Sequence, residues 1–332
     1  MQKNNYIRVH ILLLFLVTCF YLVSIGFRDF VGFSSPDEEL FLSYFKFVKE
    51  HDDLRSYYLV WSFIQSSLYR IDPHLVFYMN ALATFTLSSF LVVKENLNKY
   101  FLLIFLLPTV LLYHHTYLRD IQLFQVSIII LLVLSSFKVR SNLLAIVTIL
   151  LIIAITIFMR KILGVVFGIA FFMAITKIRS RTFLLSFSFL FGVGTFFVAI
   201  VPWLSSFYEL KVLAFEKSAQ HFGLFYLPES GLGFFEKWFT LLFSIVPFWF
   251  TFNIHVDKLS ELILVVESIF TFILLGYILL DAFLKPKIYS SVVAKFCLFV
   301  LVFSSFLAMF ESGEATTVRH KLAFLPFLFY LF

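Results

Sequence analysis

Residues 143–176 read LLAIVTILLIIAITIFMRKILGVVFGIAFFMAIT. Two apolar runs, Leu143–Met159 and Leu163–Thr176, are interrupted only by Arg160 and Lys161. Crossing ~30 Å of hydrocarbon takes roughly 20 apolar residues in a helix, so each run approaches a membrane span with a tight basic turn between them. The pattern recurs outward in both directions, in Val9–Phe27, Pro73–Val93, Tyr100–Leu118, Ile121–Phe137, Thr182–Leu204, Leu259–Leu280 and Tyr289–Phe310. Together these predict an all-α, polytopic integral membrane protein with about 9–11 transmembrane helices.

Composition agrees. Of 332 residues, 61% are apolar and 14% charged, with 49 phenylalanines. Soluble domains run near 45–50% apolar and about 25% charged. Too few polar residues remain to cover a water-facing surface, which excludes a soluble enzyme, a nucleic-acid-binding domain and a disordered chain. The formal charge of +6 is scattered between apolar runs and forms no basic patch, so no nucleic-acid partner is expected. Cys19 and Cys297 both lie in apolar runs, and no disulfide framework is expected.

Three stretches are ambiguous. Leu54–Ile71, interrupted by Gln65 and Ser66, suits a helix lying in the interface. Trp238–Phe252 is short and carries Pro247. Leu322–Phe332 is only 11 residues long, so the last helix is short or the chain is incomplete at its C-terminus.

Lys3 and Arg8 precede a first apolar run too long for a signal peptide, which sets a cytoplasmic N-terminus. Lys94–Lys99, Lys138–Arg140 and Lys177–Arg181 then form short basic inner turns, and segments 28–72, 113–120, 159–162 and 205–237 fall outside. If Trp238–Phe252 spans, Lys285 and Lys287 move outside; if it re-enters, they stay inside. Re-entry is preferred, because Pro247 breaks the segment and the basic inner turn is restored. Only Glu95 and Asp281 of the 20 acidic residues are then inside. No repeat or linker divides the chain, so a single membrane domain with two long outer loops, about 28–72 and 205–237, is expected.

Four constellations carry charge on the outer side. In the first loop, Ser34-Ser35-Pro36-Asp37-Glu38-Glu39 reads as a helix start, with carboxylates at the positive end of the dipole. The same carboxylates are placed to act as a general base on an acceptor hydroxyl or to hold a divalent metal. In the second, Tyr113-His114-His115-Thr116-Tyr117-Leu118-Arg119-Asp120, basic residues at membrane depth are costly unless used or paired. The bland reading is an Arg119–Asp120 pair or a snorkelling arginine. His114 and His115, as helix neighbours, point about 100° apart and lack further ligands, so no metal is assigned. The third is Arg160-Lys161; the fourth is Glu311–Lys321, with Val318-Arg319-His320-Lys321 at its end. If Arg119, Arg160 and Arg319 converged, their guanidiniums would suit a diphosphate. Glu261 and Glu267 fall in an apolar run, where a carboxylate serves either proton coupling or a structural contact.

These elements have a family likeness. Pro36-Asp37-Glu38 after the first helix resembles the first-loop motif of the type C membrane glycosyltransferases. Leu118-Arg119-Asp120 opening a helix, with Arg160 after the next hairpin, is similar to an element of bacterial polysaccharide polymerases. Val318-Arg319-His320-Lys321 followed by Pro326 resembles the C-terminal region of both groups, and Pro247-Phe248-Trp249 with Glu267 fits the second. Such proteins usually continue through further helices beyond the point where this chain stops.

The resemblance implies a GT-C-like fold with an extracytoplasmic first loop, in a bacterial cytoplasmic (inner) membrane. It implies transfer of polyprenyl-diphosphate-linked oligosaccharide, as in O-antigen, lipopolysaccharide or exopolysaccharide synthesis, at the external face. Asp37 or Glu38 would be the catalytic base. Arg119, Arg160 and Arg319 would contact the diphosphate, with His114, His115, Asp120, Lys161, His320 and Lys321 as secondary candidates. No cofactor is implied; partners would be the lipid-linked glycan, the bilayer and polysaccharide-assembly proteins. Two other readings stay open: a transporter or flippase of the same glycans, and a non-catalytic membrane subunit of an envelope complex.

Overall fold

The structure, a computed structural model, describes residues 2–31, 65–95, 99–116, 120–136, 142–201, 233–243, 259–310 and 321–332, with Ser206, Tyr208, Glu209, Val212 and Trp249. Every element among the described residues is helical. Among the described residues, three helices are long and apolar enough to cross a membrane: Pro73–Lys94, Ser180–Ile200 and Leu262–Leu284. Asp120–Ser136, Leu143–Met159, Lys161–Ile175 and Val292–Ser304 are shorter apolar helices. Their outer faces carry large apolar side chains, such as Phe90 at 65% and Phe189 at 69% exposure, which suits hydrocarbon as the surrounding solvent.

The chain packs as two compact units, Met1–Lys138 with Asn142–Gly164, and Val139–Ser141 with Val165–Phe332. The first contains α1 (Gln2–Val31), α2 (Pro73–Glu95), α3 (Pro108–His114), α4 (Asp120–Ser136) and α5 (Leu143–Met159). Helix α2 packs against α1 and α4, and α5 against α4. The starts of these helices follow local chemistry. The Asp72 carboxylate accepts from the His74 N–H at 2.6 Å, capping α2, and Pro73 takes the first-turn position where its missing N–H costs nothing. Asn142 caps α5 by accepting from the Ala145 N–H at 3.3 Å.

One apolar run departs from the expected single helix. Tyr100–Leu118 divides into a 3-10 segment, Lys99–Leu106, and the short α3. Pro108 explains the break: it lacks an N–H and its ring clashes with the preceding turn, so it begins a helix here and does not continue one.

The second unit holds most of α6 (Lys161–Ile175), then α7 (Ser180–Ile200), α8 (Phe234–Phe243), α9 (Leu259–Leu284), α10 (Val292–Phe310) and α11 (Leu325–Leu331). Phenylalanine builds its core. Phe183 of α7 lies 3.9 Å from Phe299 of α10 between ring centroids, and Phe327 of α11 meets Phe167 and Phe296 edge-on.

The geometry of this unit bears on spanning against re-entry. Ser180 Oγ donates to the Tyr289 carbonyl at 2.9 Å, and Lys295 Nζ to the Thr176 carbonyl at 3.2 Å. The start of α7, the turn after α9 and the start of α10 therefore share one end. Helix α7 leaves that end and α9 returns to it, so the chain between them makes no net crossing. Helix α8 has ten residues and runs back along α7: Phe234 packs on Phe196, while the Trp238 indole donates to Gly192 and Thr195. At 1.5 Å per residue, that point is about 20 Å from the shared end. The Trp249 indole donates to Ser304 at 3.1 Å, about 18 Å along α10. The described residues of Trp238–Phe252 thus pack part-way along α7 and α10, an arrangement compatible with re-entry. The basic turns at 177–181 and 285–287 lie on the same side.

Candidate functional site

Several of the sequence candidates meet at one end of the first unit. Arg28, in the last turn of α1, donates to the His115 carbonyl beyond the end of α3. A cation there satisfies a carbonyl that the helix leaves open and complements the negative end of its dipole. Tyr21 Oη sits 3.2 Å from His74 Nδ1, which ties α1 to the start of α2. Segments 28–72, 113–120 and 159–162, assigned to one side from sequence, therefore have their flanking residues at one end of this unit.

The centre of the arrangement is an ion pair. Asp120 opens α4, where its charge faces the positive end of the dipole, and its side chain is 1% exposed. Arg160 ends α5: its backbone turns extended, and its N–H caps the helix on the Thr156 carbonyl at 2.7 Å. That single extended residue breaks the apolar run at 143–176 and turns the guanidinium onto Asp120, with Nη1 3.2 Å from Oδ1. Asp120 is thus joined to Arg160, a partner that reading along the chain does not suggest, since its sequence neighbour Arg119 is the obvious one. Lys161 opens α6 immediately beyond and is exposed.

The histidines lie just beneath. His114 is 2% exposed, with Nδ1 2.6 Å from the Val110 carbonyl and its ring edge-on to Phe20. His115 is 8% exposed and packs against Phe77, ring centroids 4.1 Å apart. They face different neighbours, as adjacent helical positions must. His114 Nε2 and His115 Nδ1 are buried without a hydrogen-bond partner. Among the described residues no group of three His, Cys, Asp or Glu side chains gathers in a way that would hold a metal.

Deeper between the helices lies a polar cluster that the sequence reading missed. The Asn80 Oδ1 accepts from Gln122 Nε2 at 3.1 Å and from Gln65 Nε2 at 3.4 Å. Gln125 Nε2 donates to both the Asn80 carbonyl and Thr84 Oγ1, at 3.1 and 3.0 Å. The signal was present as spacing: Asn80 and Thr84 are four apart on α2, and Gln122 and Gln125 three apart on α4, each pair on one helix face.

The remaining candidates are elsewhere. Lys321, in the second unit, is 4% exposed; its Nζ donates to Ser268 Oγ at 2.9 Å and to the Trp249 carbonyl at 3.5 Å. Glu267, adjacent to Ser268 on α9, is also buried. Asp37, Glu38, Arg119, Arg319 and His320 lie outside the described residues.

No known family, curated protein or solved structure matches this chain. Its chemistry must be read from the site itself. A part-buried guanidinium is already partly stripped of water and binds phosphate oxygens bidentately. Here one face of it is occupied by a carboxylate, so any phosphate at Arg160 has to share it with Asp120.

Proposed function

We propose that the chain is a membrane glycosyltransferase or polymerase that joins polyprenyl-diphosphate-linked oligosaccharide units, as in O-antigen or exopolysaccharide synthesis, at the external face of a bacterial inner membrane. In this reading Asp37, or Glu38, takes the proton from the acceptor hydroxyl, and Arg119, Arg160 and Arg319 steady the departing diphosphate. The observation that carries it is Arg160. A cation in the bend of an apolar hairpin is expensive unless it is used, and this one is partly buried with a carboxylate beside it. The sequence resemblance supports the same assignment, and the absence of a Gly-rich phosphate loop fits a donor that arrives on a lipid.

A second reading, transport of the same lipid-linked glycans, is favoured by the amides buried between α2 and α4, since polar side chains at membrane depth often mark a substrate path. Deleting the gene in its native host separates the two. Loss of long surface polysaccharide, while single repeat units still arrive, is the polymerase result. Loss of all repeat-bearing material, with precursor retained inside, is the transporter result and overturns the first reading. In reconstituted vesicles given the lipid-linked oligosaccharide, Arg160→Gln should lower chain elongation at least tenfold at equal expression. Normal elongation removes Arg160 from the site.

A further inference from the structure

At the shared end of the second unit the chain forms a half-open cavity of about 470 Å³. Among the described residues, four cations line it, Lys177, Arg179, Lys287 and Lys295, together with the hydroxyl-bearing Ser180 and Ser290. No carboxylate is in the wall among the described residues. Asp281, the acid at this end of α9, is engaged by Lys285 at 2.7 Å and by the Tyr289 hydroxyl at 3.2 Å. Burial, with that carboxylate beside it, holds the Tyr289 phenol protonated, so it serves as donor to Asp281. Arg181, the other cation of the first turn, lies over the Phe283 ring, 4.8 Å from its centroid. Lys177, Arg179 and Lys287 are exposed and form no ion pair among the described residues.

Two further features raise the positive potential. Lys295, 5% exposed, also lines the wall and donates to the Thr176 carbonyl. Helix α7 starts in the wall at Ser180, and the residue before it, Arg179, supplies no side-chain cap to its first-turn N–H groups. The open N–H groups and the positive dipole end favour an anion there. Clustering cations costs repulsion, which an anion relieves. The two helices that end here, α7 and α9, each contain a stretch long enough to cross a bilayer, so the cavity lies at the depth of lipid headgroups.

We propose that this cavity is a phosphate-binding site, with Arg179 and Lys287 as its exposed clamp, Lys177 beside them and Lys295 as its buried floor. Its ligand is the phosphate of an anionic lipid headgroup or a free phosphate. The site is separate from the chemistry proposed above and does not depend on it.

The test uses the full chain purified in neutral detergent, with thermal unfolding and native mass spectrometry as readouts. The probes are dihexanoyl phosphatidic acid, inorganic phosphate and, as a neutral control, dihexanoyl phosphatidylcholine. Binding of phosphatidic acid over phosphatidylcholine supports the site with a lipid source. Binding of inorganic phosphate as well supports it with a free phosphate. The double variant Arg179→Gln/Lys287→Gln should lose affinity about tenfold or more, since it removes two charge-assisted contacts. Lys177→Gln alone should lose less, and Lys285→Gln, whose partner is Asp281, should bind as the wild type does. Both substituted positions of the double variant are exposed, and its ligand-free unfolding temperature checks that the fold is kept. Failure of both phosphate probes to bind, or equal binding by the double variant, overturns the site.

Discussion

Arg160, at the break between α5 and α6, and Asp120, forty residues earlier at the start of α4, hold each other at 3.2 Å. The carboxylate is 1% exposed and the guanidinium 18%. Removing one member of a buried pair leaves a desolvated charge behind and typically costs about 3–5 kcal/mol, whereas removing both costs much less. Asp120→Asn and Arg160→Gln should therefore each lower the unfolding temperature in detergent more than the double variant does. Additive losses in this cycle would show that the two side chains are not coupled.

The amide cluster makes a graded prediction. Asn80 accepts through both its side chain and its carbonyl, while Thr84 shares Gln125 with that carbonyl. Hydrogen bonds between helices in a bilayer are worth roughly 0.6 kcal/mol on average and up to about 1.7. Asn80→Ala removes the acceptor for two glutamine donors and should cost near the upper figure. Thr84→Val leaves Gln125 its second acceptor and should cost well under the average. Steric trapping or thermal unfolding of the two variants, read side by side, checks the order; equal losses would contradict the network.

Most of the helices were legible because a hydrophobic run of membrane length has few alternatives. Leu143–Met159 matches α5 end to end, and the runs at 73–93, 121–137 and 182–204 differ from α2, α4 and α7 by a few residues. The misread run was Tyr100–Leu118, where composition outvoted Pro108. The site was less legible, because it depends on pairings between distant positions. Arg160 and Asp120 were both visible as charges in apolar surroundings, but a single sequence says nothing about their being neighbours. Arg28 passed unnoticed because a basic residue at the end of a first helix looks like an ordinary anchor. Its role as a ligand of the His115 carbonyl exists only once α1 and α3 are packed.

The side-sharing of the two basic turns is directly measurable. With Cys19 and Cys297 replaced by Ser, single cysteines at Ile178 and Ser290 should react with an impermeant maleimide from the same side of sealed vesicles. A cysteine at Gly233, just before α8, should react from the other side. Labelling of Ile178→Cys and Ser290→Cys from opposite sides would mean that 201–258 makes a net crossing, against the Ser180–Tyr289 and Lys295–Thr176 contacts.

The tight turn at Arg160 also imposes a steric demand, and glycine meets it. The extended backbone of Arg160 brings Gly164 against the last turn of α5. A Cβ at Gly164 would lie 2.5 Å from the Ile157 backbone nitrogen and 2.7 Å from its Cα, closer than real Cβ contacts come. Backbone cannot rotate away as a long side chain does, so Gly164→Ala must open the turn or strain it. Overpacking of this kind costs about 1–3 kcal/mol. Gly276, in the middle of α9, has nothing within 4 Å of the same added atom. There Gly276→Ala meets no clash and gains helix propensity, up to about 1 kcal/mol. The same chemical change should thus lower the unfolding temperature at Gly164 and hold or raise it at Gly276. Because opening the turn moves Arg160 away from Asp120, Gly164→Ala should also weaken the coupling between those two in the double-mutant cycle. A fully retained coupling in the Gly164→Ala background would show that the packing of this turn does not set the ion pair.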